Sequence, residues 1–164
     1  INTDITVEKL PSTKNDAFLL LIDKKGKWRV NTTVRNFTKS LGGMASSFSA
    51  SGDLLMIGKS KRDMMLAWKR MKEIGGGIVL AHEGEVLLEI PLTLGGLMSN
   101  QTIDKVIEKE KKLTAIFKEH GYQFHDPIYS ILFLTIAHLP YIRITQQGII
   151  DIMKREILFP ATMR

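Results

Sequence analysis

Four serines crowd one short stretch, Ser46, Ser47, Ser49 and Ser51, in the segment 42–53 that ends on Asp53. Hydroxyls at this density could supply a nucleophile or a hydrogen-bonding wall. A serine nucleophile on a strained strand-to-helix turn carries the pattern G-x-S-x-G. No such pattern surrounds these serines. The stretch therefore reads as a flexible, hydroxyl-rich loop, and its place between two strands makes it the segment best placed to reach outward. The four histidines, His82, His120, His125 and His138, give no metal pattern. A helical site needs ligands at i and i+3 or i+4, and a strand site an alternating pair. His82 is expected to be exposed beside a hairpin turn, and His138 to cap the carbonyls of a helix end. Gly75-Gly76-Gly77 could cradle a phosphate only with a strand before it and a helix after it. Here the order is helix, glycines, strand, so the run reads as a helix stop.

The elements that must hold these residues follow from periodicity. Residues 17–22 are a continuous apolar run, expected as a buried strand. Lys24 to Lys27 form a turn. Trp28, Val30, Thr32 and Val34 then alternate with polar residues, which predicts a half-buried partner strand and a hairpin. Residues 54–57 form a strand stopped by Gly58. Ser60 opens a helix whose apolar face carries Met64, Ala67, Trp68, Met71 and Ile74. Residues 78–81 and 86–90 pair around Glu83-Gly84, and Pro91 ends the ladder. Ser99 or Asn100 is expected to cap a helix running to about His120, with Ile103, Val106, Ile107, Leu113, Ile116 and Phe117 on its buried side. Asp126-Pro127 starts a further helix through about Ala137. Short strands follow at 141–144 and 148–152. The order predicts an α/β chain of the α+β kind, a mixed β-sheet with hairpins flanked by α-helices.

Composition narrows the classes. The chain has 164 residues, 44% hydrophobic and 24% charged, and this balance fits one globular domain and not a disordered segment. With no cysteine, disulfides, thiolate metal sites and cysteine nucleophiles are excluded. The longest apolar runs, 18–22 and 131–134, are too short to span a bilayer. A net charge of +6 raises the question of nucleic acid. The basic residues are scattered, however, and Lys109, Lys111 and Lys112 alternate with Glu108 and Glu110. No aromatic ladder accompanies them, so the expected partners include neither nucleic acid nor membrane. The first residue is Ile1 and the last Arg164, from which a piece of a longer chain is expected.

The segment from Asp63 to Asn100 resembles the C-terminal domain of bacterial adenine deaminases. The distinctive parts are Glu73-Ile74-Gly75-Gly76-Gly77-Ile78-Val79, then Pro91-Leu92, then Gly96-Leu97-Met98-Ser99. A second block, Asp126-Pro127 with its leucine- and phenylalanine-rich helix and then Thr145 to Gly148, is similar as well. The match is best over 41–152, within a single domain of 1–164 whose first part, 1–40, carries the N-terminal hairpin.

The resemblance implies a parent amidohydrolase whose N-terminal TIM barrel holds a divalent transition metal (manganese, iron or zinc). The metal would activate a water that attacks the purine carbon bearing the amino group, giving hypoxanthine and ammonia. The present domain would be an accessory to that barrel, with no catalytic residue and no cofactor of its own. A cytoplasmic homodimer is implied. One departure concerns the serine loop. After Ala45-Ser46-Ser47 the family carries a stretch with two histidines and an aspartate, whereas this chain has Phe48-Ser49-Ala50-Ser51-Gly52-Asp53. Ser49, Ser51 and Asp53 are therefore the expected substrate-proximal residues. They can hold a polar substrate but offer no imidazole for proton transfer near pH 7, so weak adenine turnover is expected. The alternatives are a related amidohydrolase with another substrate and a stand-alone module that binds a small ligand.

Overall fold

The computed structural model describes residues 15–163. Ile1, Arg164 and the opening residues of the N-terminal hairpin portion lie outside the described residues. The order is β1 (Asp16–Ile22), β2 (Trp28–Arg35), β3 (Gly43–Ser46), β4 (Leu54–Gly58), α1 (Lys61–Glu73), β5 (Gly77–His82), β6 (Glu85–Pro91), α2 (Ile103–Glu119), α3 (Pro127–Phe133), β7 (Ile142–Thr145), β8 (Gly148–Asp151), β9 (Glu156–Pro160) and β10 (Thr162–Met163). A seven-stranded sheet runs β10-β2-β1-β4-β3-β5-β6, and a three-stranded sheet runs β7-β8-β9. The fold is α+β, with hairpins and helices on the sheet as the sequence predicts. Each described strand pairing is antiparallel.

The large sheet is covered on both faces. On one, Leu19, Leu21, Met44, Leu55, Ile57, Ile78 and Leu80 join Leu113 and Phe117 of α2, Ile131 of α3, and Ile144 and Ile149 of the small sheet. On the other, Ala45, Met56, Val79 and Ala81 pack on Met64, Ala67 and Met71 of α1, with Phe18, Leu20 and Ile22 partly buried against them. This explains why β1 is a continuous apolar run: alternate side chains enter different cores, so neither face can be polar. A strand with one wet face would alternate instead, as β2 does.

Helix α1 begins as its sequence predicts, with the Ser60 hydroxyl accepting from Asp63 N at 3.2 Å. The carboxylate of Asp63 does not return to the cap. It accepts from Gly84 N at 2.9 Å and so ties the first helical turn to the β5–β6 turn. That turn has Glu83 and Gly84 both at positive φ, 52° and 85°, as a tight two-residue hairpin requires. The helix start lies directly on β3. A Cβ at Gly43 would sit 2.3 Å from Met64 N and 2.5 Å from Asp63 C.

Several boundaries differ from the sequence prediction, each for a local reason. Residues 43–46 form β3 at the centre of the sheet and are not loop. Helix α2 is capped at Thr102, without a side-chain cap bond, and not at Ser99 or Asn100. The Ser99 hydroxyl accepts from Gln101 N at 3.1 Å instead. Helix α3 ends at Phe133 and not near Ala137. There the Leu132 carbonyl accepts from Ala50 N and Ile136 N turns to Phe133 O, which breaks the i to i−4 ladder. His138 consequently stands in an exposed turn beyond the helix end. Strands β9 and β10 were not foreseen. On α2 only Leu113 and Phe117 are fully buried, while Ile103 and Ile107 are exposed.

Substituting Gly43→Ala should destabilise the 164-residue chain by about 1–3 kcal/mol, because backbone and not a flexible side chain occupies the space. Urea midpoints of the two proteins measure it. Equal midpoints would mean that α1 can lift from the sheet at no cost.

Candidate functional site

Segment 47–53 lies at the end of the sheet where β3 finishes, and it is tightly bonded. Ser46 Oγ accepts from Phe48 N at 3.0 Å. Ser47 is buried; its hydroxyl accepts from Gly77 N at 2.8 Å and donates to Gly96 O at 2.6 Å. One hydroxyl thus joins three segments: the end of β3, the start of β5 and the loop 92–98. Gly96 takes φ 78° to bring its backbone there, and a Cβ would meet Ser47 Oγ at 3.0 Å. Downstream, Ala50 N donates to Leu132 O at 3.1 Å and Ser51 N to Thr135 Oγ1 at 3.4 Å, so the segment is pinned to the end of α3. The flexible loop expected from composition is therefore a fixed one.

The three expected substrate-proximal residues differ in what they can offer. Ser49 is buried and its hydroxyl donates to Asp53 O at 2.7 Å, so it shapes the turn. Ser51 is exposed and Asp53 half-buried. Burial pushes the Asp53 carboxyl above the ordinary carboxylate value; the Ser51 hydrogen bond opposes this, Asp23 adds to it and Lys24 subtracts. Lys24 also reaches Gly95 O at 3.5 Å. The β1–β2 turn, the 47–53 segment, the 92–98 loop and the end of α3 thus meet around Ser51 and Asp53. Chemically this corner offers a hydroxyl, a carboxyl that holds its proton more firmly than usual, and a nearby ammonium.

The opposite end of the sheet holds a pair that the sequence did not reveal. His82 and His120 stand with ring centroids 4.6 Å apart in an edge-to-face arrangement. His82 is half-buried, not exposed, and its Nδ1 accepts from Gly42 N at 3.1 Å. His120 Nδ1 bonds Ser40 Oγ at 2.8 Å. These residues are far apart in sequence, and no local spacing could link them. Burial first, then the neighbouring His82, lowers the His120 pKa; Glu119 acts against both.

The sequence pattern of the adenine deaminase C-terminal domain matches residues 3–156. The chain belongs to the adenine deaminase C-terminal domain family. It is 52% identical over 164 residues to "Putative adenine deaminase OB0751" of Oceanobacillus iheyensis and, over the same length, to "Putative adenine deaminase YerA" of Bacillus subtilis. Over 126 residues, 76% of this chain, it is 35% identical to "Adenine deaminase" of Clostridium botulinum, covering 21% of that protein. The chain spans 28% of the length of the first two relatives. No helix of the described residues is long and apolar enough to cross a membrane.

The divalent metal that the family resemblance implies is expected on an N-terminal barrel and not on this adenine deaminase C-terminal domain. Among the described residues no three histidine, aspartate or glutamate side chains gather where one ion could hold them. His82 and His120 make only a pair, and each already has one ring nitrogen bonded. The serine corner supplies Asp53, with Asp23 near enough to raise its pKa but already accepting from Lys25 N and Lys27 N.

Two outcomes are expected from this geometry. Ser47→Ala leaves a buried donor and a buried acceptor unpaired, which costs about 1–3 kcal/mol and should speed amide exchange at Leu94, Leu97 and Met98; unchanged exchange would show that Ser47 does not hold that loop. His120 has a folded-state pKa below its ordinary 6.5, so the unfolded chain binds more protons in the window below that value. Stability should be flat above pH 7, and fall as pH drops from about 6.5 through the folded-state pKa. Urea midpoints between pH 5 and 8 should show this slope reduced in His120→Asn; an unchanged slope would assign the effect to other groups.

Proposed function

We propose that this domain serves as the accessory C-terminal part of a metal-dependent adenine deaminase, a cytoplasmic homodimer in which adenine and water become hypoxanthine and ammonia. The family match over nearly the whole chain carries this reading, together with relatives named as adenine deaminases of which it covers only 28%. The catalytic part would be an N-terminal amidohydrolase barrel on the same polypeptide, and a manganese, iron or zinc ion would belong to that part, where it would supply an activated water. Within this chain the serine corner is the region suited to face substrate. Ser51 can donate to or accept from a purine edge. Asp53 can hydrogen-bond a purine edge through its carboxyl, whose pKa burial raises above the ordinary carboxylate value. Ser49 fixes the Asp53 backbone that presents both groups.

A related amidohydrolase acting on a different substrate is the second reading. One observation favours it: segment 48–53 carries neither of the histidines that the resemblance leads one to expect. An imidazole titrates near neutral pH and a serine does not, so the corner is better built for binding than for fast proton transfer.

Ammonia release from adenine separates the two readings. The full-length protein loaded with metal should turn adenine over weakly, and the 164-residue chain should not at all. Asp53→Asn in the full-length protein should lower kcat/KM by about tenfold, as expected for loss of one charge-assisted hydrogen bond to substrate. Ala50→His should raise it. Turnover insensitive to both changes would remove the serine corner from the mechanism, and turnover of another amidohydrolase substrate in preference to adenine would establish the second reading.

A further inference from the structure

Helix α2 carries apolar side chains along its full length, yet the domain buries them completely only in its C-terminal half, leaving Val106 half-buried and Ile103 and Ile107 exposed. Leu113 and Phe117 are fully buried, whereas Ile103 is 69% and Ile107 43% exposed on the preceding turns. The chain just before the helix is equally apolar and open, with Leu94, Leu97 and Met98 all exposed. This exposure is not that of a loose loop. Leu94 N bonds Met98 O at 3.0 Å and Met98 N bonds Leu94 O at 3.1 Å, while Ser47 grips the intervening Gly96. The fold thus holds five large apolar side chains in fixed positions against water within residues 94–107. Large apolar side chains held exposed on a bonded loop and on the helix that follows it mark an interaction site. The polar residues among them, Asp104, Lys105 and Glu108, are of mixed sign, which suits a protein rim better than an anionic lipid surface or a phosphate backbone.

We propose that the 94–98 loop and the N-terminal half of α2 form the seat on which the remainder of the same polypeptide docks. The proposal rests on the accessory-domain reading above. The occupant follows from length: the chain is 28% of its relatives, so most of such a protein is available to cover this domain. A helix whose apolar side chains are fully buried only in its C-terminal half is completed by a second body, which brings side chains to Ile103 and Ile107 as this domain does to Leu113 and Phe117. Ser47 then has a purpose beyond stability: it presets the loop, so less conformational entropy is lost on docking.

The methionines supply an internal measurement. Met98, Met153 and Met163 are 64%, 68% and 70% exposed, so exposure alone gives them similar oxidation rates. In the full-length protein treated with hydrogen peroxide and read by peptide mass spectrometry, Met98 should oxidise at least about tenfold more slowly than Met153 and Met163. A full-length Ile103→Asp, Ile107→Asp variant should bring Met98 up to their rate, while amides near Leu113 and Phe117 stay protected from exchange. Both substituted residues are exposed, so the domain core is untouched. Met98 oxidising as fast as the other two in the unmodified protein would overturn the proposal. Protection that fades on dilution would also overturn it, since the occupant would then be a second copy. Ammonia release is scored separately: protection without adenine turnover leaves the docking surface standing and removes the deaminase reading, and turnover without protection does the reverse.

Discussion

The architecture depends on covering the large sheet from both sides at once. Strand β1 has no polar face, and Leu19 and Leu21 look into one core while Phe18, Leu20 and Ile22 look into the other. Were α1 absent, the second set would face water; were α2, α3 and the small sheet absent, the first would. Burial of each such side chain is worth about 1.5–3 kcal/mol, so the central strands cannot be satisfied by one layer. The close seating of α1 on Gly43 follows from this. Without a side chain there, the helix start comes near enough for Met64, Ala67 and Met71 to meet Ala45, Met56 and Val79.

That two-sided coverage also gives the molecule two distinct ends. At one, the serine corner gathers three loops and the end of α3 around Ser51 and Asp53. At the other, His82 and His120 close the sheet between the β5–β6 turn and the end of α2. The hydroxyl of Ser47 does for the first end what the Gly42 amide bonded to His82 does for the second: each joins a strand of the sheet to segments remote in sequence. The fixed loops around Ser51 are thus a product of buried polar bonds and not of the apolar cores.

Much of this was legible in the residues. The β1–β2 hairpin, the Ser60 cap, the glycine stop after α1 and the Asp126 cap before Pro127 depend on neighbours in sequence, and all are found in the structure. What was not legible depends on distant contacts. Gly43-Met44-Ala45-Ser46 has no β-branched residue and looks like loop; it becomes a central strand because β4 and β5 flank it and α1 fits above it. The length of α3 was overread because Ala50, far upstream, takes the carbonyl that would continue the helix. At the site, Ser49, Ser51 and Asp53 were picked out from a family likeness, but periodicity could not show that Ser49 is buried and spent on the Asp53 backbone, or that two histidines meet.

The carboxylate of Asp63 has a bearing on how chains of this family can vary in length. Hairpin turns are ordinarily where insertions are least harmful, since they lie in solvent and touch little. The Glu83-Gly84 turn is an exception, because its amide is held by a buried side chain of α1. One inserted residue there would carry Gly84 away and leave a buried carboxyl without its donor. The Asp23–Lys27 region is held chiefly by its own aspartate, which accepts from Lys25 N and Lys27 N. Of these two hairpins, the first therefore tolerates an added residue better than the second, whose turn amide is tied to α1.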